Sequence, residues 1–200
     1  MMQGILRRSS DGFYSEMKYN LIQLQSEFRK GKKLKYLFFW KPEKIGSGEL
    51  GPGCLSQWWS AKFIIKGITF SSTEQFMMAE KARLFNDLEI YNQILKCKSP
   101  VQFKQLGRKI KGFDEEVWKE NRINIVYTGN LAKFKQNPEL MEYLLSTKKK
   151  IVVEASSHDS IWGIGLDENN EHIKNPLKWK GLNLLGFILM QVRDSLKLLS

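Results

Sequence analysis

The stretch FSSTEQFMMAEKARLF, residues 70–85, places a carboxylate and an ammonium on one apolar face. On a helix that begins here, Glu74, Met78 and Lys81 recur at intervals of three and four residues and therefore share a face. A carboxylate and an ammonium that share a face with apolar side chains are typical of acid–base sites. The sequence therefore indicates Glu74 as a candidate catalytic residue.

Glu74 also has a purely structural interpretation as part of a helix cap. Ser71 to Glu74 fits the capping box, in which a Ser hydroxyl accepts the N–H of the fourth residue and the Glu reaches back. Ser72 to Gln75 fits the same pattern one residue later. Glu74 is therefore not required for the cap, and both interpretations stay open.

A second carboxylate, Asp159, lies in SSHDSIWGIGL directly after a predicted strand. Loops at strand ends often hold binding groups, and Gly163 and Gly165 would let the backbone approach a ligand closely. The alternative is a turn-forming Asp whose side chain accepts from its own backbone. His158 and His172 have neither metal-ligand spacing nor a triad partner, so no metal and no cofactor are expected.

Aromatic rings are numerous for this length, and a flat ring near a carboxylate is suited to binding a heterocycle. Trp118 is the most suggestive, because it stands among charges in FDEEVWKENR. Lys81 and Arg108 are candidate partners for a phosphate or carboxylate. Burial in the core is the alternative for Trp118, and a solvated helix face is the alternative for the two cations.

The composition is that of a basic globular protein. The chain has 200 residues, 42% of them hydrophobic, and a net charge of +11, which points to an anionic partner. No apolar run approaches the ~20 residues of a membrane span, and the N-terminus lacks the apolar segment of a secretory signal. We therefore expect a cytoplasmic protein that does not bind a membrane. Cys54 and Cys97 show no CxxC spacing and are expected to be ordinary thiols.

Nearly half of the charge lies in residues 1–36, where eight Lys and Arg face three Asp and Glu, a net charge of +5. This pattern favours a solvated basic arm, and a contact with nucleic acid or lipid is the alternative. We therefore predict that residues 1–36 are a dispensable extension and that residues 37–200 form the folded domain.

Helical patterns outweigh strand signals along the chain. They cover residues 73–85, 87–97, 99–110 and 114–134, with a looser helix at 17–30, a shorter one from Asn137 and a closing one within 180–199. Strands are predicted at KYLFFW, KIVVEAS and a hairpin in AKFIIKGITF. The fold class is therefore α+β, a mostly helical single domain with a small β-sheet.

Six segments in order resemble the NADAR family of YbiA-like N-glycosidases. They are CLSQWWSAKFIIKGITFSSTEQFMMAEKARLF, SPVQFKQLGRKI, FDEEVWKENR, GNLAKF, SSHDSIWGIGL and WKGLNLLGFILMQVRDSL. The resemblance covers about residues 37–198. The resemblance implies a YbiA-like fold and hydrolysis of N-glycosidic bonds in small phosphoribosylated substrates. The expected substrates are phosphoribosylamino-pyrimidine intermediates of riboflavin synthesis. Other branches of the family are associated with ADP-ribose, including its removal from guanine.

The resemblance also implies roles for individual residues. Glu74 and Asp159 are expected to be catalytic, and which of them activates water is left open. Substrate binding is expected at Trp118, Lys81, Arg108, Trp162, Gly163 and Asn183. Two positions depart from the family pattern: Gln75 replaces a frequent His and cannot relay a proton, and Ile164 stands where some relatives carry a second acid.

Two other functions stay open at this point, as does the oligomeric state. One is a hydrolase acting on ADP-ribosylated guanine in nucleic acid, for which the basic N-terminal arm would be a tether. The other is a non-catalytic ADP-ribose-binding module with the same fold.

Overall fold

The structure is a computed structural model that describes residues 17–46 and 48–199. Its helices are α1 (Leu21–Arg29), α2 (Thr73–Leu84), α3 (Leu88–Lys96), α4 (Pro100–Gly107), α5 (Glu115–Gln136), α6 (Pro138–Ser146) and α7 (Leu184–Leu199). Its strands are β1 (Tyr36–Phe39), β2 (Phe63–Ile65), β3 (Ile68–Phe70) and β4 (Ile151–Glu154), and a 3-10 helix spans Pro52–Leu55. The α+β prediction is confirmed, and the predicted elements are present with ends that differ by a few residues.

Within residues 17–46 and 48–199 the strands form two separate two-stranded sheets, whereas one small sheet was predicted. β2 and β3 form the predicted antiparallel hairpin, with Lys66 and Gly67 at positive φ in its turn, as two-residue hairpin turns require. β1 and β4 pair in parallel, with Tyr36 opposite Ile151. Because they are parallel, the segments that follow both strands meet at one edge, and the segments that precede both meet at the other.

α7 contributes many buried side chains to the core. Leu185, Ile188 and Leu189 are fully buried, and the helix packs against α5 and β4. Burial of each such side chain contributes roughly 1.5–3 kcal/mol. Within residues 17–46 and 48–199, no helix is both long enough and apolar enough to cross a membrane.

The N-terminal segment differs from the predicted solvated arm. Met17 and Leu24 are 8% and 6% exposed and belong to the hydrophobic core. Lys18 Nζ and the Tyr19 hydroxyl both donate to Asp194 on α7, at 2.5 and 2.7 Å. The expectation of a solvated arm is therefore wrong for the part of the leader that follows residue 16, because this part packs against the domain. Residues 1–16 lie outside the described part of the chain.

Candidate active site

A cavity of about 660 Å³ opens at the edge of the β1–β4 sheet where both strands end. Trp40 and Lys41, which follow β1, and Glu154, which ends β4, line this edge. Residues of α2, α4 and α5 line the other sides. The volume is that of a small-molecule pocket. Its charged lining is balanced in sign, with Lys41, Lys81, Lys104 and Arg108 against Glu43, Glu74, Glu154 and Asp159.

Glu74 lies in the first turn of α2 but does not cap the helix. The N-cap Ser72 accepts the N–H of Gln75 on its Oγ at 3.2 Å. Gln75 Oε1 in turn accepts the N–H of Ser71 at 2.8 Å. Glu74 lines the cavity and is 4% exposed. The cap therefore belongs to Ser72 and Gln75, and Glu74 is available for chemistry.

Gln75 has a structural role at the position where the family resemblance led us to expect a His. Its Nε2 donates to the carbonyl of Ile94 at 3.0 Å, near the end of α3. The side chain thereby joins the start of α2 to the end of α3, and it does not line the cavity. A neutral amide suits this role because it donates to α3 and accepts from the backbone that precedes α2.

Glu154 is a further acidic residue of the cavity, and it was not among the site residues predicted from the sequence. Its backbone N–H donates to Asn183 Oδ1 at 3.0 Å, and its carbonyl accepts the N–H of Ile164 at 3.0 Å. Its Oε2 is buried without a hydrogen-bond partner among the described residues. Burying a carboxyl oxygen without a partner is costly, and such groups concentrate at functional sites.

Asp159 both forms a turn and lines the cavity, so the two interpretations that the sequence left open both apply to it. Its Oδ1 accepts the backbone N–H groups of Ile161 and Trp162 at 2.9 and 2.7 Å, which closes a turn. The same residue lines the cavity, as does Trp162. The turn therefore fixes both a carboxylate and an aromatic ring at the cavity wall.

Burial and mutual repulsion raise the pKa values of two of these carboxyl groups. Burial raises the pKa of Glu74 to about 7, opposed by the positive charge of Lys104 and assisted by the negative charge of Asp159. Burial, followed by the negative charges of Asp159 and Glu74, raises the pKa of Glu154 to about 8. Near neutral pH the cavity thus holds protonated and ionised carboxyl groups together, as acid–base catalysis requires.

Lys81 and Trp118 form a second wall of the cavity. Lys81 Nζ lies 4.1 Å from the ring centroid of Phe113 and 5.4 Å from that of Trp118. It also donates to the carbonyl of Gly107 at 3.4 Å, and burial lowers its pKa. Trp118 is 7% exposed and belongs to the core. Its ring therefore serves the core and the cavity at once.

A buried lysine supports the wall that carries Ser56 and Gln57. Lys133 Nζ donates to the carbonyls of Cys54 and Ser56 at 2.7 and 3.0 Å, and burial lowers its pKa to about 7. Asn130 Nδ2 donates to Gln57 Oε1 at 3.1 Å. Both residues lie on α5 in GNLAKF, so this segment positions the cavity wall without reaching the cavity.

Six of the eight predicted site residues line the cavity: Glu74, Asp159, Trp118, Lys81, Arg108 and Trp162. Gly163 and Asn183 do not. Asn183 is fully buried, and besides its bond to Glu154 it donates from Nδ2 to the carbonyl of Val152 at 3.0 Å. A Cβ on Gly163 would come within 2.9 Å of the carbonyl oxygen of Glu154. Both residues therefore position the end of β4, and with it Glu154.

Several cavity residues were not predicted from the sequence. Trp40, Lys104 and Glu154 line the cavity, and the guanidinium of Arg122, a residue that is 2% exposed, lies 5.9 Å from the ring centroid of Trp162. The available signal for Glu154 was an acidic residue at the end of the apolar strand KIVVEAS, the same signal that pointed to Asp159.

Comparison with known proteins gives the class and the family. The NADAR domain matches residues 38–197. The chain is 41% identical to N-glycosidase R617 of Acanthamoeba polyphaga mimivirus over 165 residues, 80% of this chain and 95% of that protein. It is 28% identical to N-glycosidase YbiA of Shigella boydii over 132 residues, 66% of this chain and 74% of that protein.

A solved structure agrees with the fold. The NMR structure of the E. coli protein YbiA matches with a TM-score of 0.66 at 24% identity, covering 82% of this chain and 86% of that one. Together with the named relatives, the fold and the cavity with its carboxyl groups define a hydrolase of the N-glycosidase class. The chain belongs to the NADAR domain family.

Proposed function

We propose that this N-glycosidase cleaves phosphoribosylamino-pyrimidine intermediates of riboflavin biosynthesis, releasing ribose 5-phosphate and the free pyrimidine. Two similar proteins support this substrate class by name. They are riboflavin biosynthesis protein PYRR of Zea mays, 37% identical over 112 residues, and riboflavin biosynthesis protein VVA0006 of Vibrio vulnificus, 26% identical over 161 residues. The match covers 16% and 38% of those proteins, so their names support a substrate class for this domain and no more.

The observation that carries the proposal is a group of three carboxyl residues, Glu74, Glu154 and Asp159, that line one cavity and interact electrostatically. Cleavage of a ribosyl C1′–N bond develops positive charge on the sugar and negative charge on the departing nitrogen. The first change requires an anion near the ring, and the second requires a proton donor. A cavity with raised carboxyl pKa values beside a negatively charged Asp159 supplies both.

In the proposed reaction, Glu74 transfers protons and Asp159 supplies negative charge to the sugar. Protonated Glu74 donates its proton to the departing nitrogen as the C1′–N bond breaks. The resulting Glu74 carboxylate takes a proton from the water whose oxygen bonds to C1′, so one water is consumed and Glu74 regains its proton. Glu74 suits proton transfer because its pKa of about 7 lies near the working pH. Glu154, with the higher pKa, retains its proton and limits the charge held in the cavity.

The remaining lining residues are suited to the two ends of such a substrate. Trp118 and Trp162 offer ring faces to a pyrimidine. Lys104 lies on α4 and Arg108 at its C-terminal end, and both are exposed. There they would bind a 5′-phosphate, together with Lys81 on the adjacent wall. No metal has a role in this scheme.

Activity on ADP-ribosylated guanine in nucleic acid is the alternative, and a non-catalytic ADP-ribose-binding module is a third. The three functions differ in the substrate that the protein turns over, and the third predicts no turnover. Purified protein is incubated with phosphoribosylamino-pyrimidines and with ADP-ribosylated oligonucleotides, and release of free base and of ribose 5-phosphate or ADP-ribose is measured by chromatography. The proposal predicts release from the pyrimidine substrates. Release from the oligonucleotides alone supports the second function, and binding without release supports the third.

A further inference from the structure

A second cavity, of about 1040 Å³, shares no lining residue with the active site. We call it the basic groove. Its charged lining consists of Lys18, Lys32, Lys33, Lys35, Lys148, Lys149, Lys150, Arg193 and Lys197, with Glu27 and Asp194. Nine positive and two negative residues give a net charge of +7, out of +11 for the whole chain. The active-site cavity, by contrast, has four charged residues of each sign.

The parallel pairing of β1 and β4 creates the basic groove. Tyr36 lies opposite Ile151 at the start of the two strands, and the N–H of Ile151 donates to the carbonyl of Lys35 at 2.8 Å. The lysines of KGKKLK, before β1, therefore lie beside those of TKKK, before β4. The active site lies at the other edge, roughly 13 Å away for strands of four residues at about 3.3 Å per residue.

Buried polar contacts fix one wall of the groove. Arg193 on α7 is 2% exposed, and its guanidinium donates to Thr147 Oγ1 at 2.7 Å and to the carbonyl of Lys150 at 2.8 Å. These bonds hold the turn between α6 and β4, so its lysines project from an ordered backbone. The lysine cluster is therefore built into the fold.

Several of the groove lysines have no neutralising carboxylate within the described part of the chain. Lys32 pairs with Glu27 at 2.8 Å, and Lys18 pairs with Asp194 at 2.5 Å. The lysines at 33, 35 and 148–150 are exposed, and none of them forms an ion pair with a carboxylate of residues 17–46 or 48–199. Like charges held this close repel each other, and an anionic partner would relieve the repulsion.

We propose that the basic groove binds the sugar–phosphate backbone of nucleic acid without selecting a base sequence. Lysines supply flexible point charges, which position a phosphate backbone but read no base edges. The recess carries lysines on two walls and therefore fits a narrow polyanion better than the flat surface of a bilayer. Duplex DNA offers one negative charge per roughly 1.7 Å of its axis, enough to engage both walls at once. Binding there leaves the active-site cavity free.

The test uses the full chain with fluorescently labelled RNA and duplex DNA oligonucleotides. Affinity is measured by anisotropy over a range of salt concentrations. The groove variant replaces Lys33, Lys35, Lys149 and Lys150 with Gln. The control variant makes the same change in net charge at four exposed lysines outside the groove, Lys62, Lys96, Lys98 and Lys174. Urea unfolding checks that both variants are folded, and the pair K149Q/K150Q replaces the fourfold groove variant if that variant is not.

We expect binding with a log–log salt slope of about −4 or steeper, because each engaged phosphate contributes about −0.9 for duplex DNA. For duplex DNA, the fourfold groove variant should flatten the slope by about 3.6, and K149Q/K150Q by about 1.8, whereas the control should keep the wild-type slope. Equal losses in both variants would overturn the proposal, because they would reflect bulk charge alone. The proposal would also be overturned if the protein bound no oligonucleotide near physiological salt. Groove-dependent binding to phosphatidylserine vesicles or polyglutamate that is tighter than binding to the oligonucleotides would overturn it as well.

Discussion

The variant Glu154→Gln is expected to gain stability over the wild type as the pH rises. Folding raises the pKa of Glu154 from an ordinary value of 4.5 to about 8, chiefly through burial. A group whose pKa is raised in the folded state stabilises that state below its unfolded pKa. This contribution is lost as the pH rises through the folded pKa. In the wild type, the contribution of Glu154 to the free energy of unfolding therefore falls between about pH 4.5 and 8, whereas Gln does not titrate.

The size of the effect follows from that pKa change. At about 1.36 kcal/mol per pH unit, the full change would correspond to roughly 5 kcal/mol. Glu154 is coupled to Glu74 and Asp159, and coupled groups divide such an effect between them, so we expect about 2–5 kcal/mol. The difference between variant and wild type cancels contributions common to both, such as that of Lys133, whose lowered pKa acts in the opposite direction.

Urea unfolding followed by tryptophan fluorescence, at a series of values from about pH 5 to 9, measures this difference. Glu142→Gln is the matched control, because it makes the same substitution at an exposed position on α6. As the pH rises, the free energy of unfolding of Glu154→Gln should increase relative to that of the wild type. The curve of Glu142→Gln should run parallel to the wild-type curve. Parallel curves for all three proteins would refute the account of the buried carboxyl group.

Three further predictions concern the binding wall, the support of β4 and the N-terminal segment. Trp118→Ala should raise KM for a pyrimidine substrate far more than Trp118→Phe, since a base stack is worth about 1–3 kcal/mol; equal losses, or losses explained by unfolding, would favour a core role alone. Asn183→Ala should lower the free energy of unfolding by roughly 2–4 kcal/mol, because it removes two buried hydrogen bonds; a change below that range would show that Asn183 does not hold β4. Deleting residues 1–36 should destabilise the protein, because Met17 and Leu24 leave the core; full stability after that deletion would contradict this packing.

The sequence was most informative where the pattern is local. Helical spacing placed Glu74 and Lys81 on one face of α2, and both line the cavity. The overlapping capping boxes could not be resolved from the sequence, because the choice depends on the bond from Gln75 to Ile94 on another helix.

The features missed by the sequence analysis depend on contacts between distant segments. Glu154 becomes a cavity residue because β4 pairs in parallel with β1, and the sequence does not reveal that pairing. The basic groove has the same origin. The segment with Met17 and Leu24 was predicted as solvated from its charge, but its few apolar residues pack on the core. Charge density describes the exposed face of a segment and does not show whether the other face is buried.

The role of Glu74 is the central claim, and turnover of Glu74→Gln tests it most directly. Gln is nearly isosteric with Glu, and Ser72 and Gln75 provide the cap of α2, so the fold should survive the substitution. Glu80→Gln is the matched control, because Glu80 lies on the same helix and does not line the cavity. The measurement is the turnover number on whichever phosphoribosylamino-pyrimidine the wild type hydrolyses, together with urea unfolding of each protein.

We predict that Glu74→Gln remains folded and loses turnover by on the order of 10²-fold or more, the usual contribution of a general acid or base. Glu80→Gln should keep wild-type turnover. Near-normal turnover in a folded Glu74→Gln protein would contradict the assignment of Glu74, and the principal catalytic role would then pass to Asp159.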